Sequence, residues 1–215
     1  MLPDGCVDVV LIGGHLVVAG PATSGVEVAP TPGQHSCGVR FRVGAANAGL
    51  GLPVDVLRDL TVPLADVWGG DGRRLGTQVN RASPEVAVTV LMRAFAQPRR
   101  PLDLMARRAA LLTTTRPFRE VSEELGLTER QLHRRVEQAV GYGPRTLRRI
   151  LRLQRFLRLL EHEPVSTPLA QLAVAAGYAD QAHLGRECRA LTGRTPSTLR
   201  AAGATAAGER MSETF

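Results

Sequence analysis

The chain has 215 residues, enough for one large domain or two small ones, and a formal charge of +7 in which all 27 basic residues are arginine. Its three cysteines, Cys6, Cys37 and Cys188, are scattered and odd in number, which argues against a disulfide framework and suits a reducing compartment. No apolar run approaches the roughly 20 residues of a membrane helix, and Asp4 and Asp8 stand where a secretory signal carries a basic region. A cytoplasmic protein with no membrane partner is therefore expected.

From the N-terminus, CVDVVLIGGHLVVAG is two apolar runs around Gly13-Gly14, the pattern of a β-hairpin. VEVAP (26–30) and CGVRFRV (37–43) read as further short strands, punctuated by Pro30, Pro32 and Gly33. The stretch Cys6 to Leu11 is expected at an exposed sheet edge, where it would invite association. The period then changes. PVDVLRDL predicts a short helix from Pro53, and SPEVAVTVLMRAFAQ predicts one with Ser83 as N-cap, Pro84 at the first position and Glu85 in the first turn. QPRRP (97–101) is the best linker candidate.

From Leu102 onward the punctuation is helical. LDLMARRAALLTTT and FREVSEEL are helices, the second stopped at Gly126. TERQLHRRVEQAV opens with the capping box Thr128-x-x-Gln131 and ends at Gly141. PRTLRRILRLQRFLRLL starts on Pro144, PLAQLAVAA stops at Gly177, and DQAHLGRECRALT has Asp180 as N-cap and Gly193 as its stop. Charge follows the same boundary. Residues 1–103 hold nine Arg and nine acids, whereas 104–203 hold 17 Arg against nine acids, the balance of a polyanion-binding domain attached to a neutral one.

The helical half repeats itself. Gly193-x-x-Pro196-x-x-Leu199-Arg200 repeats Gly141-x-x-Pro144-x-x-Leu147-Arg148 at an offset of 52 residues, and Leu132 and Leu184 share that offset. Each copy is helix, glycine turn, helix, which is helix-turn-helix grammar. Phe118, Val121 and Leu125 form the apolar stripe before the first turn; Leu169, Leu172 and Ala176 form it before the second, whose turn is expected to be one residue longer. In the second helices, Leu132 and Val136, and Leu184 and Cys188, face inward. Arg130, His133, Arg134 and Glu137 then cluster on the opposite face of one, and Gln181, Ala182, Gly185, Arg186 and Arg189 on that of the other. Arginine and amide donors can read base edges in a major groove, and small residues permit close approach. Solvated surface can have the same composition; the duplication favours reading. Between the copies, Pro144 to Leu160 spans about 25 Å of helix. Ile150, Leu153, Leu157 and Leu160 lie on one side, and Arg145, Arg148, Arg152 and Arg155 on the other. Such a strut suits two reading helices about one DNA turn apart.

LGLTERQLHRRVEQAVGYGPRTL and AAGYADQAHLGRECRALTGRTPSTLR resemble the two halves of the AraC/XylS-type DNA-binding domain, over residues 104–203. The resemblance implies a transcription factor with two major-groove helices. By matched position it implies base contacts at Arg130, His133 and Arg134, and at Gln181, Ala182, Gly185 and Arg186. One departure is Cys188, where the family pattern usually has Phe; a smaller side chain there is expected to loosen the second subdomain's core. LPDGCVDVVL, VAGPAT, GVRFRVGA and VPLADVWG resemble a sensor-like domain found before it in some members. Further strands are expected upstream of Leu2, so the module is truncated or its start is misassigned.

Catalytic constellations are thin. Cys6, His15, His35 and Cys37 match no metal-ligand spacing, and Cys37 lacks a general base and an orienting carboxylate. His183 suits helix-start packing or hydrogen bonding. Trp68 and Phe41 suit an aromatic core better than a ligand cavity, and GGDGRRLG lacks the Lys-Ser/Thr of a phosphate loop. The expected fold is α+β. Residues 1–98 form a small mixed β/α sensor-like module for an effector or for oligomerisation, and 99–103 a linker. Residues 104–203 form an all-α domain with two helix-turn-helix subdomains joined by a long helix, and 204–215 a disordered tail. Double-stranded DNA is the expected partner, with RNA polymerase and an unidentified small-molecule effector as further candidates, acting as monomer or homodimer. No cofactor, metal or catalytic residue is expected. The competing reading is an enzyme or metal-binding N-terminal domain with auxiliary DNA binding.

Overall fold

The computed structural model describes residues 2–25 and 37–202. The expected strand at 26–30, His35 and the tail from 204 lie outside the described residues. The described residues divide into two compact units, one of 5–23 and 37–147, the other of 2–4, 24–25 and 148–202.

The first unit opens with strands β1 (Val7–Ile12) and β2 (His15–Ala19), the hairpin read from the apolar runs. Ile12 faces His15 in register, and both turn residues, Gly13 and Gly14, have positive φ (58° and 79°), the geometry of the tight hairpin turn whose twist matches the strands. β3 (Gly38–Phe41) pairs with β1, and β4 (Thr61–Pro63) with β2, all antiparallel, in the order β3-β1-β2-β4. The expectation of an exposed edge at Cys6 to Leu11 is corrected here: β1 is interior, with hydrogen-bonded neighbours on both sides. Alternation sets the faces. Val7, Val9, Leu16 and Val18 are buried, while Asp8 on the opposite face of the sheet pairs with its cross-strand partner Arg40 at 2.8 Å.

Between β3 and β4 lie α1 (Ala46–Leu50) and, where a short helix was expected from Pro53, a single 3-10 turn, Val54–Leu57. After β4 come α2 (Leu64–Trp68), α3 (Gly70–Asn80) and α4 (Pro84–Ala96). α3 contains the GGDGRRLG stretch. A Cβ on Gly72 would stand 2.5 Å from the Leu64 carbonyl oxygen, so glycine here lets α3 lie against α2. Ser83 precedes α4 as expected, but its hydroxyl donates to the Glu85 carboxylate (2.9 Å) and leaves the helix amides alone. The core joins Val9, Val18, Leu50, Leu64 and Leu91 to an aromatic group in which Phe95 meets Phe41 edge-on (5.2 Å) and Trp68 tilted (4.7 Å). The 97–101 stretch is tied down beside it. Arg99 lies 3.9 Å over the Trp68 ring, and the amides of Arg99 and Arg100 both donate to the Ala48 carbonyl.

The same unit continues through α5 (Leu104–Leu112), α6 (Phe118–Glu124) and α7 (Glu129–Val140). Asp103 caps α5 by accepting from the Ala106 amide at 2.9 Å and also pairs with Arg135 of α7. α8 (Pro144–His162) begins here and continues in the second unit, which adds α9 (Leu169–Ala176), α10 (Gln181–Thr192) and a last helix from Pro196. The buried line of α8 is Leu147, Ile150, Leu153 and Phe156, with Leu157 and Leu160 only half-buried. A three-residue step drifts around a helix of 3.6 residues per turn, and so brings Phe156 inward in place of the expected Leu157. In the second unit Gln154 donates to the Pro3 carbonyl, and Arg200 to the carbonyls of Val165 and Thr167.

Candidate nucleic-acid interface

α7 begins as its sequence dictates. The Thr128 hydroxyl accepts from the Gln131 amide while the Gln131 side chain accepts from the Thr128 amide, a complete capping box. The helix ends at Gly141, whose φ of 98° is the left-handed cap that favours glycine. Leu132, Val136, Ala139 and Val140 are buried. Arg130, His133 and Arg134 are all exposed on the opposite face, as expected. With Phe118, Glu129 and Glu137 they border a surface groove of about 560 Å³. The His133 ring is confined by three neighbours. Its edge meets Phe118, its Nδ1 lies 3.6 Å from Glu137 Oε2, and a Cβ on Gly143 would come within 2.5 Å of its Nε2.

α10 is built in parallel. The Asp180 carboxylate caps it by accepting from the His183 amide at 2.6 Å, and Gly193 (φ 70°) stops it. His183 serves the helix start: its Nδ1 accepts from the Ala179 amide and its ring meets Tyr178 edge-on. Leu184, Cys188 and Leu191 are buried. Cys188 is fully enclosed, and burial pushes its thiol up to about 11. Gln181, Ala182 and Arg186 are exposed, and Gly185 is half-buried, with Arg189 Nη1 3.7 Å from where a Cβ would stand. The turns before the two helices are equal, 125–128 and 177–180, which corrects the expected extra residue. What differs is the glycine: Gly177 is the cap of α9, whereas Gly126 stands one residue beyond the cap Leu125.

Residues 121–202 match the helix-turn-helix domain family, and residues 1–63 match a domain of unknown function. No curated protein and no solved structure matches the chain. Residues 121–202 are thus an AraC-type helix-turn-helix domain, consistent with an AraC-family DNA-binding regulator. The matched region runs from α6 past the end of α10, so both glycine turns and both exposed faces fall inside it.

The arginines of the helical region sort into two groups. Arg108 and Arg116 pair with Glu124, Arg119 with Glu123, Arg135 with Asp103 and Arg149 with Glu187. Among the described residues, Arg130, Arg134 and Arg186 have no ion-pair partner, nor do Arg145, Arg148 and Arg155 of α8. The paired group neutralises acids, leaving the unpaired group as a basic surface with its donors open. Glu187 shows the effect on α10. Arg149 donates through Nε to both of its oxygens (2.8 and 3.2 Å), which holds the carboxyl below the usual carboxylate range and neutralises the acid on the helix. Sequence reasoning missed Arg58, which donates through Nη2 to Glu137 Oε1 on α7 at 2.8 Å, because 79 residues separate the partners. Among the described residues no three His, Cys, Asp or Glu gather as a metal site, and no helix is long and apolar enough to cross a membrane.

Proposed function

We propose that the chain is an AraC-family transcription regulator that reads duplex DNA with α7 and α10 in two adjacent major grooves. Arg130, His133 and Arg134 contact bases in one, and Gln181, Ala182, Gly185 and Arg186 in the other. The observation that carries this reading is the pair of like-built helices, each with an exposed arginine face that no carboxylate of the described residues pairs with. α8, at 19 residues and about 28 Å, is on the length scale of one duplex turn. Its unpaired arginines are suited to phosphate contacts, which set register and leave sequence to the reading faces. Residues 104–203 form the reading domain. Residues 1–98 form an effector or oligomerisation module, responding to a small molecule and acting, with RNA polymerase, in the cytoplasm.

Selection from a random duplex pool with the full chain tests the reading, and one motif extending over two consecutive grooves is expected. Arg134→Ala and Arg186→Ala should each cost about 1–3 kcal/mol on that site and relax preference at a few base pairs. Uniform weakening on all sequences, with only a shallower salt dependence, would reassign both residues to phosphate contacts.

A further inference from the structure

Arg58 lies in the stretch that matches a domain of unknown function, directly after the 3-10 turn Val54–Leu57. Its side chain leaves that module and engages the end of α7 twice. Nη2 donates to Glu137 Oε1 at 2.8 Å, and Nε donates to the carbonyl oxygen of Gly141, the cap of the helix. Pro21 closes on the same cap: a Cβ on Gly141 would overlap Pro21 Cγ. The 3-10 turn and α1 pack along α7 as well.

The support beneath Arg58 is itself braced. Asp59 is the one non-glycine among the described residues with positive φ (56°), a conformation that costs a residue with a Cβ something to hold. Its carboxylate accepts from the amide and the hydroxyl of Thr23 (2.6 and 2.7 Å), and its amide donates to the Pro21 carbonyl at 3.2 Å. Pro21 and Arg58 are thus locked to each other and grip Gly141 together.

We propose that this module is a working part of the first reader, with Arg58 the positioning residue for α7. Resting on the reading that α7 contacts bases, the assignment has two physical consequences. Arg58 fixes the helix at its C-terminal end and so sets the tilt of Arg130, His133 and Arg134. It also neutralises Glu137, one turn from His133, which would otherwise turn a bare carboxylate toward the phosphates.

The test uses the full chain on the duplex that wild type enriches, with copies of that duplex changed one base pair at a time. Arg58→Ala is expected to weaken binding about tenfold, as loss of a charge-assisted contact predicts. It should flatten discrimination at the base pairs that Arg134→Ala also affects, and leave the pairs sensitive to Arg186→Ala as they were. Glu137→Gln, which loosens Arg58 but also removes the carboxylate, should flatten discrimination at those same base pairs more weakly with little loss of affinity, and Arg58→Ala with Glu137→Gln should discriminate no worse than Arg58→Ala. Unchanged affinity in Arg58→Ala, unchanged discrimination in either single variant, equal loss at all base pairs, or additive effects in the double variant overturn the proposal. Glu137→Gln leaves the module intact, so it decides the matter where Arg58→Ala fails to fold. Failure of wild type to enrich any motif would count against DNA reading itself, a result distinct from these.

Discussion

Gly141 and Gly177 provide an internal control. Both cap a helix, and their φ values, 98° and 93°, put them in the same left-handed region. An added Cβ pays the same backbone cost at each, about 1–2 kcal/mol. Their surroundings differ. At Gly177 nothing among the described residues packs within 4 Å of the added atom, while at Gly141 it would overlap Pro21 Cγ and stand 3.1 Å from Pro21 Cβ. Overpacking of that kind adds about 1–3 kcal/mol. Gly177→Ala should therefore destabilise by about 1–2 kcal/mol and Gly141→Ala by about 2–5. Urea titration measures both. Trp68, the single tryptophan, sits in the same compact unit as Gly141 and reports it by fluorescence; far-UV circular dichroism follows Gly177→Ala. Pro21→Gly removes the overlapping carbon, so in the Gly141→Ala background it should recover most of the excess. Equal costs at the two glycines, or no recovery on changing Pro21, would refute the packing of Pro21 on the cap of α7.

Thr128→Ala removes one arm of the capping box and should cost about 1 kcal/mol, read as a lowered urea midpoint without a changed slope. Glu187 has a folded pKa depressed by Arg149, so its pairing stabilises fully above the ordinary value near 4.5 and is lost as pH falls through the lower folded value. Glu187→Gln should flatten the acid limb of the stability profile below about pH 4.5, and an unchanged limb would show that the pair contributes nothing there. Cys188, enclosed in the core with its thiol raised to about 11, should resist alkylation at pH 8 until urea unfolds the chain, as mass spectrometry of the labelled peptides would show.

Local chemistry wrote much of this fold into the sequence. The Gly13-Gly14 hairpin, the Thr128 capping box, the Asp180 cap and the glycine stops were all legible, because each depends on residues within a few positions of one another. The exposure of Arg130, His133, Arg134 and Arg186 followed from helical period alone, given Leu132 and Leu184 inside. α3 was not legible. Its glycines break the apolar signal, and only the approach of its backbone to Leu64 explains Gly72. The interior position of β1 was equally hidden, since a strand's neighbours are fixed by pairing across the chain and its own residues read alike at an edge or a centre.

By itself the sequence determined the two like-built helices, their caps and the residues they turn outward. Which arginines remain open for a partner was decided only by the tertiary structure. Ion pairing depends on distance in space, and Arg58 with Glu137, or Arg149 with Glu187, meet across 79 and 38 positions that no local pattern spans. Arg134 and Arg186 stand apart from them because, among the described residues, folding brings no carboxylate within ion-pair distance of either.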